Sequence, residues 1–465
     1  MDSATKVNAY DYFEPVRPRP RLVDPGAIKL LGLARRDLLS FWSERDYQNE
    51  FAARKFFRRW VFVANSPDAV EHVLVKHNDR YERKSPYMRK ALEPLLGDGL
   101  FISDGETWRA RREIEAPAFS SSNLRRFAPL MTQCALELRD RWSSKTNERA
   151  VPILPEMAGL TAEIIGRTLF GDKLGAERTA GLVRNFSEYQ AAIEQFDVGA
   201  FFGLPHWFPR TPQWRSARLA ARSIHRIVDD IVLTEVAGVP ESSTLLGLLM
   251  QRHQNEASQA LSLVQIRNEA TVIFMAGHET TANVLAWIWY LLASDRRIEA
   301  CLHAELHRVL GDRAPGYDDV PALKYTRAII EETMRLYPPV PILSRECLVD
   351  DVIRERKIPV GSIMLVVPWL LHRHALLWDQ PHRFIPERFM PEWPKRHLKF
   401  SYIPFSIGPR ICLGAAFALT EAIICVAALA QRFAPRLTSQ NEVGYECRLT
   451  LRPAHGLPMM LVPRT

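Results

Sequence analysis

One cysteine, Cys412, stands inside FSIGPRICLG (residues 405–414), between two glycines and just ahead of the apolar segment LGAAFALTEAIICVAALAQRF. Gly408 and Gly414 permit positive φ or close approach of a flat group, and Pro409 stiffens the turn between them. The free N–H groups and dipole at the start of the following helix favour an anion, so a thiolate is stabilised there. Arg410 can present a guanidinium to a carboxylate or phosphate beside the sulfur. A buried structural thiol is the plainer alternative for a lone cysteine, and the rest of the chain decides between the two.

Three further groupings could do chemistry. In EETMR, Glu332 and Arg335 lie three residues apart, which puts both on one helix face. In isolation such a pair is solvated surface. In AGHETT (276–281), Ile273, Ala276, Gly277, Thr280 and Val284 form a stripe at helical spacing, and its small central residues leave room where a core helix would place Leu. Glu279 and Thr280 add an acid and a hydroxyl beside that gap. In DGETWRARR, Trp108 stands four residues before Arg112, so an indole N–H and a guanidinium can point at one anion.

The elements that must position these residues are mostly helical. Apolar periodicity predicts helices near 123–144, 155–171, 176–197, 216–237, 263–293, 296–311, 322–337 and 413–432. Strand-like runs are short and few, at 60–65, 362–369 and 457–462. Between 338 and 412 a proline-rich stretch of low regularity intervenes, the usual form of a functional loop region. The chain of 465 residues is 47% hydrophobic and 25% charged, which excludes disorder and permits a large core. Its six cysteines lie far apart and are expected to be free thiols. The first thirty residues carry no uninterrupted apolar run, so neither signal peptide nor membrane anchor is expected and the protein is placed in the cytoplasm. The net charge of +8 is spread among acids, which argues against nucleic acid as a partner.

FxxGxRxCxG, filled by Phe405, Gly408, Arg410, Cys412 and Gly414, resembles the heme-binding signature of the cytochrome P450 family. The resemblance runs from about residue 60 to the C-terminus and implies a mainly α fold with small β-sheets, a single heme domain over 36–465 after a lead segment 1–35. It implies heme b as cofactor, with Cys412 as the iron ligand, Phe405 beside the sulfur, and Gly414 and Ala276 against the cofactor. Arg410, Trp108, Arg112 and Arg345 would hold its propionates. Glu332 and Arg335, completed by Arg388 of PERF (386–389), would form a buried network that holds the cysteine loop. AGHETT is similar to the family's distal helix motif, which assigns Thr280 and Glu279 to proton delivery during O2 activation.

The activity implied is that of a monooxygenase inserting one oxygen atom of O2 into an apolar substrate: a fatty acid, terpenoid, steroid or aromatic hydrocarbon. A peroxide-using or isomerising heme-thiolate enzyme and a non-enzymatic heme sensor are the alternatives. Electrons are expected from an acidic ferredoxin or flavodoxin with its reductase, docking on a monomer through Arg109, Arg111, Arg125, Arg126, Lys395, Arg396 and Lys399. The pocket is expected along 85–101, 189–208, Ala276, Thr280, 340–343 and the turn near Leu457, with no obvious charged anchor. His372, His374 and His382 lack the ordered spacing of a zinc site, and His278 is expected to point away from the site.

Overall fold

The computed structural model describes residues 12–22, 37–56, 59–145, 150–193, 212–237, 243–255, 261–393, 399–438 and 443–464. Among them, eleven α-helices have eleven residues or more: α1 Pro86–Leu96, α2 Gly105–Glu115, α3 Ser121–Lys145, α4 Ile153–Phe170, α5 Gly175–Ala192, α6 Pro212–Ala237, α7 Leu245–Asn255, α8 Leu263–Ser294, α9 Arg296–Leu310, α10 Lys324–Leu336 and α11 Ala415–Ala430. The eight helices read from periodicity are all present. The segment 194–211, which includes the end of the helix expected over 176–197, lies outside the described residues.

Helix α8 crosses the middle of the molecule. Its start is set by a capping box, in which Ser262 Oγ accepts the Gln265 N–H at 3.3 Å and Gln265 Oε1 accepts the Ser262 N–H at 2.8 Å. Nearly every residue from Ile266 to Leu292 is buried, as expected of a helix that is apolar all round. It packs on α4 so closely that a Cβ at Gly277 would stand 2.8 Å from Ile165 Cγ1. Helix α10 stops where Tyr337 is followed by two prolines, which cannot continue it. The Tyr337 ring stacks flat on Trp287 of α8, centroids 3.8 Å apart.

The main sheet has four strands, β1 Phe51–Phe56, β2 Arg59–Ala64, β3 Leu343–Glu346 and β4 Ile363–Val366, in the order β1-β2-β4-β3. β2 and β4 are parallel, with Val61 opposite Ile363 and Val63 opposite Leu365; β3 runs antiparallel to β4, with Arg345 opposite Met364. One face of this sheet, with Phe62, Met364 and Val366, packs on Val73, Leu74 and Ile403 in a second core separate from the helical one. A smaller sheet joins Val151–Pro152, Phe433–Leu437 and Pro458–Pro463.

Residues 12–22, in the expected lead segment, are docked on the body. Phe13 O accepts the Phe384 N–H at 2.9 Å, Tyr12 O accepts from Arg383, Val16 O accepts the Tyr337 hydroxyl at 2.7 Å, and the Val16 N–H donates to Tyr290 Oη at 3.1 Å. The strap thus ties α8, the end of α10 and the segment before PERF together.

Candidate active site

The cysteine loop is closed by its own backbone. The Cys412 N–H donates to Phe405 O at 2.9 Å and the Ile411 N–H to Gly408 O at 3.0 Å. Gly408 sits at φ 76°, and a Cβ there would come within 2.0 Å of Leu74 O, so no other residue fits. Gly414 does not need its expected freedom. Its φ is −86° and it is the N-cap of α11, with its N–H toward the thiol. Cys412 has open accessible surface, yet burial is what pushes its thiol pKa up, against the Gly414 N–H and Arg112, which pull it down. A group both deep and accessible faces space inside the molecule.

The same signature appears on α8. Ala276 is exposed and Thr280 half-buried in a helix whose flanking Met275, His278 and Glu279 are buried. The gap read from the stripe is therefore narrower than expected: Ala276 and Thr280 border it, whereas Gly277 is small because Ile165 fills the space beside it. Thr280 Oγ1 donates back to Ala276 O at 2.7 Å. Glu279 turns to another side, where its carboxylate accepts from Gln190 Nε2 at 2.5 Å and Thr450 Oγ1 at 2.6 Å; burial raises its pKa against those two donors and Arg452. His278 packs between the Phe186 and Phe274 rings, and burial lowers its pKa to about 4.

Glu332, Arg335 and Arg388 come together, as the sequence predicts. Arg335 grips both oxygens of Glu332 at 2.7 Å, a bidentate pair with neither side chain exposed. The remaining Arg335 donors reach His372 O at 2.9 Å, Pro381 O at 2.7 Å and Arg383 O at 2.9 Å. Arg388 Nε approaches Glu332 Oε1 at 3.4 Å, and the Ile385 N–H donates to the same oxygen at 2.9 Å. His372 carries the network into the cysteine loop, because its Nε2 accepts the Ile403 N–H at 2.9 Å. Burial first, then Arg335 and Arg373, holds the His372 pKa down to about 3, so the ring is a neutral acceptor. Among the described residues no group of three or more His, Cys, Asp or Glu could hold a metal ion.

A second cluster has the opposite character. Arg345, buried on β3, bridges to Lys84, and both feel the charge of Arg410. Among the described residues none of the three makes an ion pair with a carboxylate, and Arg345 Nε has no hydrogen-bond partner. Arg410 spends its donors on two carbonyls, Glu82 O at 2.5 Å and Ser103 O at 2.6 Å, and lies over the Trp108 ring, 4.7 Å from its centroid. Burial and mutual repulsion push Lys84 well down and Arg345 to about 9. Arg112 adds its guanidinium from α2, with Nη1 on Ile411 O at 2.7 Å. Lys84 was missed in the sequence because a lone lysine in RYERKSP looks like surface; only its pairing with Arg345 sets it apart.

The expected docking cations fare unevenly. Arg111 is buried and paired with Glu269 and, at 2.6 Å, with Asp98, so it cannot serve a surface patch. The face Trp108, Arg111, Arg112, Glu115 turns inward, and the charged spelling of α2 hid this. Arg109 is tied to Glu106 and Glu82 and Arg125 to Asp318, whereas Arg126 and Lys399 are exposed over the rings of Phe127 and Phe400. Lys395 and Arg396 lie outside the described residues. Of the expected pocket wall, Pro341, Ile342, Ser85, Tyr87, Met88 and Ala91 border a cleft on the sheet, while Leu457 is buried.

Comparison with known proteins agrees with this geometry. The family model described as Cytochrome P450 matches residues 40–453. The chain is 31% identical over 95% of both lengths to cyclooctatin synthase of Streptomyces melanosporofaciens. It is 30% identical to cytokinin hydroxylase of Arabidopsis thaliana, over 85% of this chain and 78% of that one. The crystal structure of the cytochrome P450DA heme domain superposes with a TM-score of 0.78 at 25% identity, covering 90% of each chain.

Proposed function

The chain belongs to the cytochrome P450 family, whose members bind heme through a cysteine thiolate, and from that premise we propose that it is a monooxygenase with Cys412 as the thiolate ligand of heme b. Its substrate in this reading is an apolar organic molecule, into which one atom of O2 is placed. The observation that carries the reading is the cation cluster. Lys84, Arg345 and Arg410 lie together without an ion-paired carboxylate among the described residues, and the two propionates of heme b supply the missing negative charge. Residues and cofactor fit on that ground.

Heme, when bound, would supply the chemistry of O2 activation, tuned by the Cys412 thiolate. The chain's own residues do the rest. The loop closed by Gly408 and the Phe405 carbonyl fixes the sulfur, and the Gly414 N–H and Arg112 favour its anionic form. Ala276, small and exposed, keeps the space beside α8 open. Thr280 Oγ1, donating to Ala276 O, keeps its lone pairs available to a water and holds a proton at that atom. Glu279, shifted by burial toward holding a proton, exchanges it on the side of Thr450 and Gln190. Electrons come from an acidic ferredoxin or flavodoxin with its reductase, steered by Arg126, Lys399 and the partly neutralised Arg109. A monomer acting in the cytoplasm completes the reading; among the described residues no helix is long and apolar enough to cross a membrane.

The reduced protein under carbon monoxide is expected to show the strongly red-shifted Soret band of thiolate ligation, and Cys412→His to move it to that of imidazole-ligated heme. An unaltered band in the variant overturns the ligand assignment. Thr280→Ala is expected to retain heme and substrate while diverting reducing equivalents to peroxide; unchanged coupling removes Thr280 from proton delivery.

A further inference from the structure

A small cavity lies where the end of α2 meets α7 and the first turns of α8, with room for about one water molecule. Its wall is apolar at Ile114, Leu249, Leu261 and Ile266 and polar at Arg111, Glu115 and Glu269. All three charged side chains are buried. Glu269 is well provided for, since one oxygen accepts from Arg111 Nη1 and the other accepts the Leu100 N–H at 2.9 Å. Glu115 is not. Among the described residues neither of its oxygens accepts a hydrogen bond, and the group within hydrogen-bonding reach is the Glu269 carboxylate.

The nearby cations are already committed. Arg111 gives Nη1 to Glu269 and Nη2 to Asp98 Oδ2 at 2.6 Å, while Asp98 Oδ1 accepts from Asn268 Nδ2 at 3.1 Å. Arg112 directs Nη1 to Ile411 O in the cysteine loop. Among the described residues, α7 and the segment ahead of α8 bring only Leu249 and Leu261 to the cavity.

Two carboxylates in contact within a largely apolar wall do not both ionise. One proton therefore lies between them, and the donors decide where. Arg111 and the Leu100 N–H stabilise Glu269 as the anion, so the proton belongs to Glu115, whose O–H donates across to α8. Burial first, then the charge of Glu269, holds the Glu115 pKa well above the usual carboxylate range, against Arg111 and Arg112.

The pair joins two helix faces that the site uses. Glu115 stands one turn after Arg112 on α2, and Glu269 stands two turns before Ala276 on α8. We propose that Glu115 is a positioning residue for Arg112: it shares one proton with Glu269, which fastens the end of α2 to α8 and leaves the Arg112 guanidinium to the cysteine loop. Ionised, Glu115 would repel Glu269 and draw Arg112 back along its own helix. The folded acid keeps its proton at pH values where an ordinary glutamate, at 4.5, has lost it, so the tie is whole below that value and loosens as pH rises through the folded pKa. What Arg112 holds rests on the heme reading; the proton does not.

Infrared difference spectra of the heme-loaded protein at neutral pH read the proton directly. Wild type minus Glu115→Gln is expected to show the C=O stretch of one protonated carboxyl; Glu279 and Glu421, whose pKa values are also raised, cancel in the difference. The band should be missing from Glu269→Gln as well, because an amide donating across to Glu115 lets that acid ionise. No difference band in either variant overturns the shared proton. Heme transfer to apomyoglobin reads the consequence. Glu115→Gln, a neutral donor of nearly the same shape, should keep the wild-type rate at neutral pH, whereas Glu115→Ala should lose heme about tenfold faster. As pH rises the wild type should move toward the Ala rate and the Gln variant should not. A Gln variant as fast as the Ala variant would make Glu115 a plain carboxylate and overturn its role. A difference band in a protein without the red-shifted thiolate band under carbon monoxide would keep the proton and remove the heme-thiolate reading. The thiolate band without a difference band would do the reverse.

Discussion

Two clusters of buried charge lie within the same fold and are built on opposite rules. Around Glu332, the donors of Arg335 have acceptors, the carboxylate accepts from Arg335 and the Ile385 N–H, and Arg388 Nε, which makes no hydrogen bond of its own, stands 3.4 Å away as a second counter-charge. Around Arg345, three cations face one another and a guanidinium N–H points at nothing. The first cluster balances its carboxylate with cations of its own. In the monooxygenase reading the second is balanced by the heme propionates. Charge balance, more than burial or hydrogen-bond saturation, separates the two clusters.

The sharpest way to break this contrast is to remove one partner from each side. Arg335→Ala strands a fully buried carboxylate, and a loss of about 3–5 kcal/mol is expected in thermal or denaturant unfolding of the heme-free protein. Arg335→Lys should recover only part, because a single ammonium cannot reproduce the two-point grip. Normal stability in the Ala variant would mean that the network does not hold the fold.

Acid tests the charge-balanced side through His372. Its folded pKa of about 3 lies below the ordinary 6.5, so the unfolded chain binds the extra proton first. The stability it contributes is whole above pH 6.5 and drains as pH falls toward 3, by about 2–3 kcal/mol at pH 4.5. His372→Gln should flatten that part of the unfolding curve against pH. An unchanged slope would place the acid sensitivity elsewhere.

The cradle should answer oppositely. Arg345→Ala is expected to raise the stability of the heme-free protein by about 1 kcal/mol, because it removes an unpaired buried charge, while heme transfer to apomyoglobin speeds up. A variant less stable without heme and unchanged in heme loss would make Arg345 another structural arginine. Lys84, with its folded pKa well below the ordinary 10.5, adds a smaller effect of the same origin. The unfolded chain binds more protons between those values, so heme-free stability rises with pH across that window. Heme loading should abolish the rise. The smallest effect belongs to the surface: charge reversal at Arg126 should slow reduction by an acidic ferredoxin about twofold to fivefold at low salt and little at high salt. Reversal at Arg109 should do less, since Glu106 and Glu82 already answer it.

Local spelling carried the helices and the Glu332 network, because period and short spacing are properties of neighbouring residues. Glu332 and Arg335 share a helix face, and PERF marks the loop that completes them. What local spelling could not carry are partnerships made across the chain. Lys84 meets Arg345, Glu279 meets Gln190 and Thr450, and Arg111 meets Glu269 only once α2 and α8 are packed. The small residues of AGHETT were read together although they serve two ends: Ala276 borders the open space and Gly277 admits Ile165.

The docked strap at residues 12–22 sets an order of events during synthesis. Tyr12 and the side chain that it accepts from, Arg383, are 371 residues apart. At about 5–20 residues per second on the ribosome, the strap waits roughly 20–75 s for its seat to be made. Until then Arg383, whose carbonyl is one of the acceptors of Arg335, is not yet part of the chain, and the helix bundle cannot be locked at that end. This segment leaves the ribosome well before its seat exists, so the nascent protein has a long interval in which chaperone protection of the strap matters more than the speed of any helix.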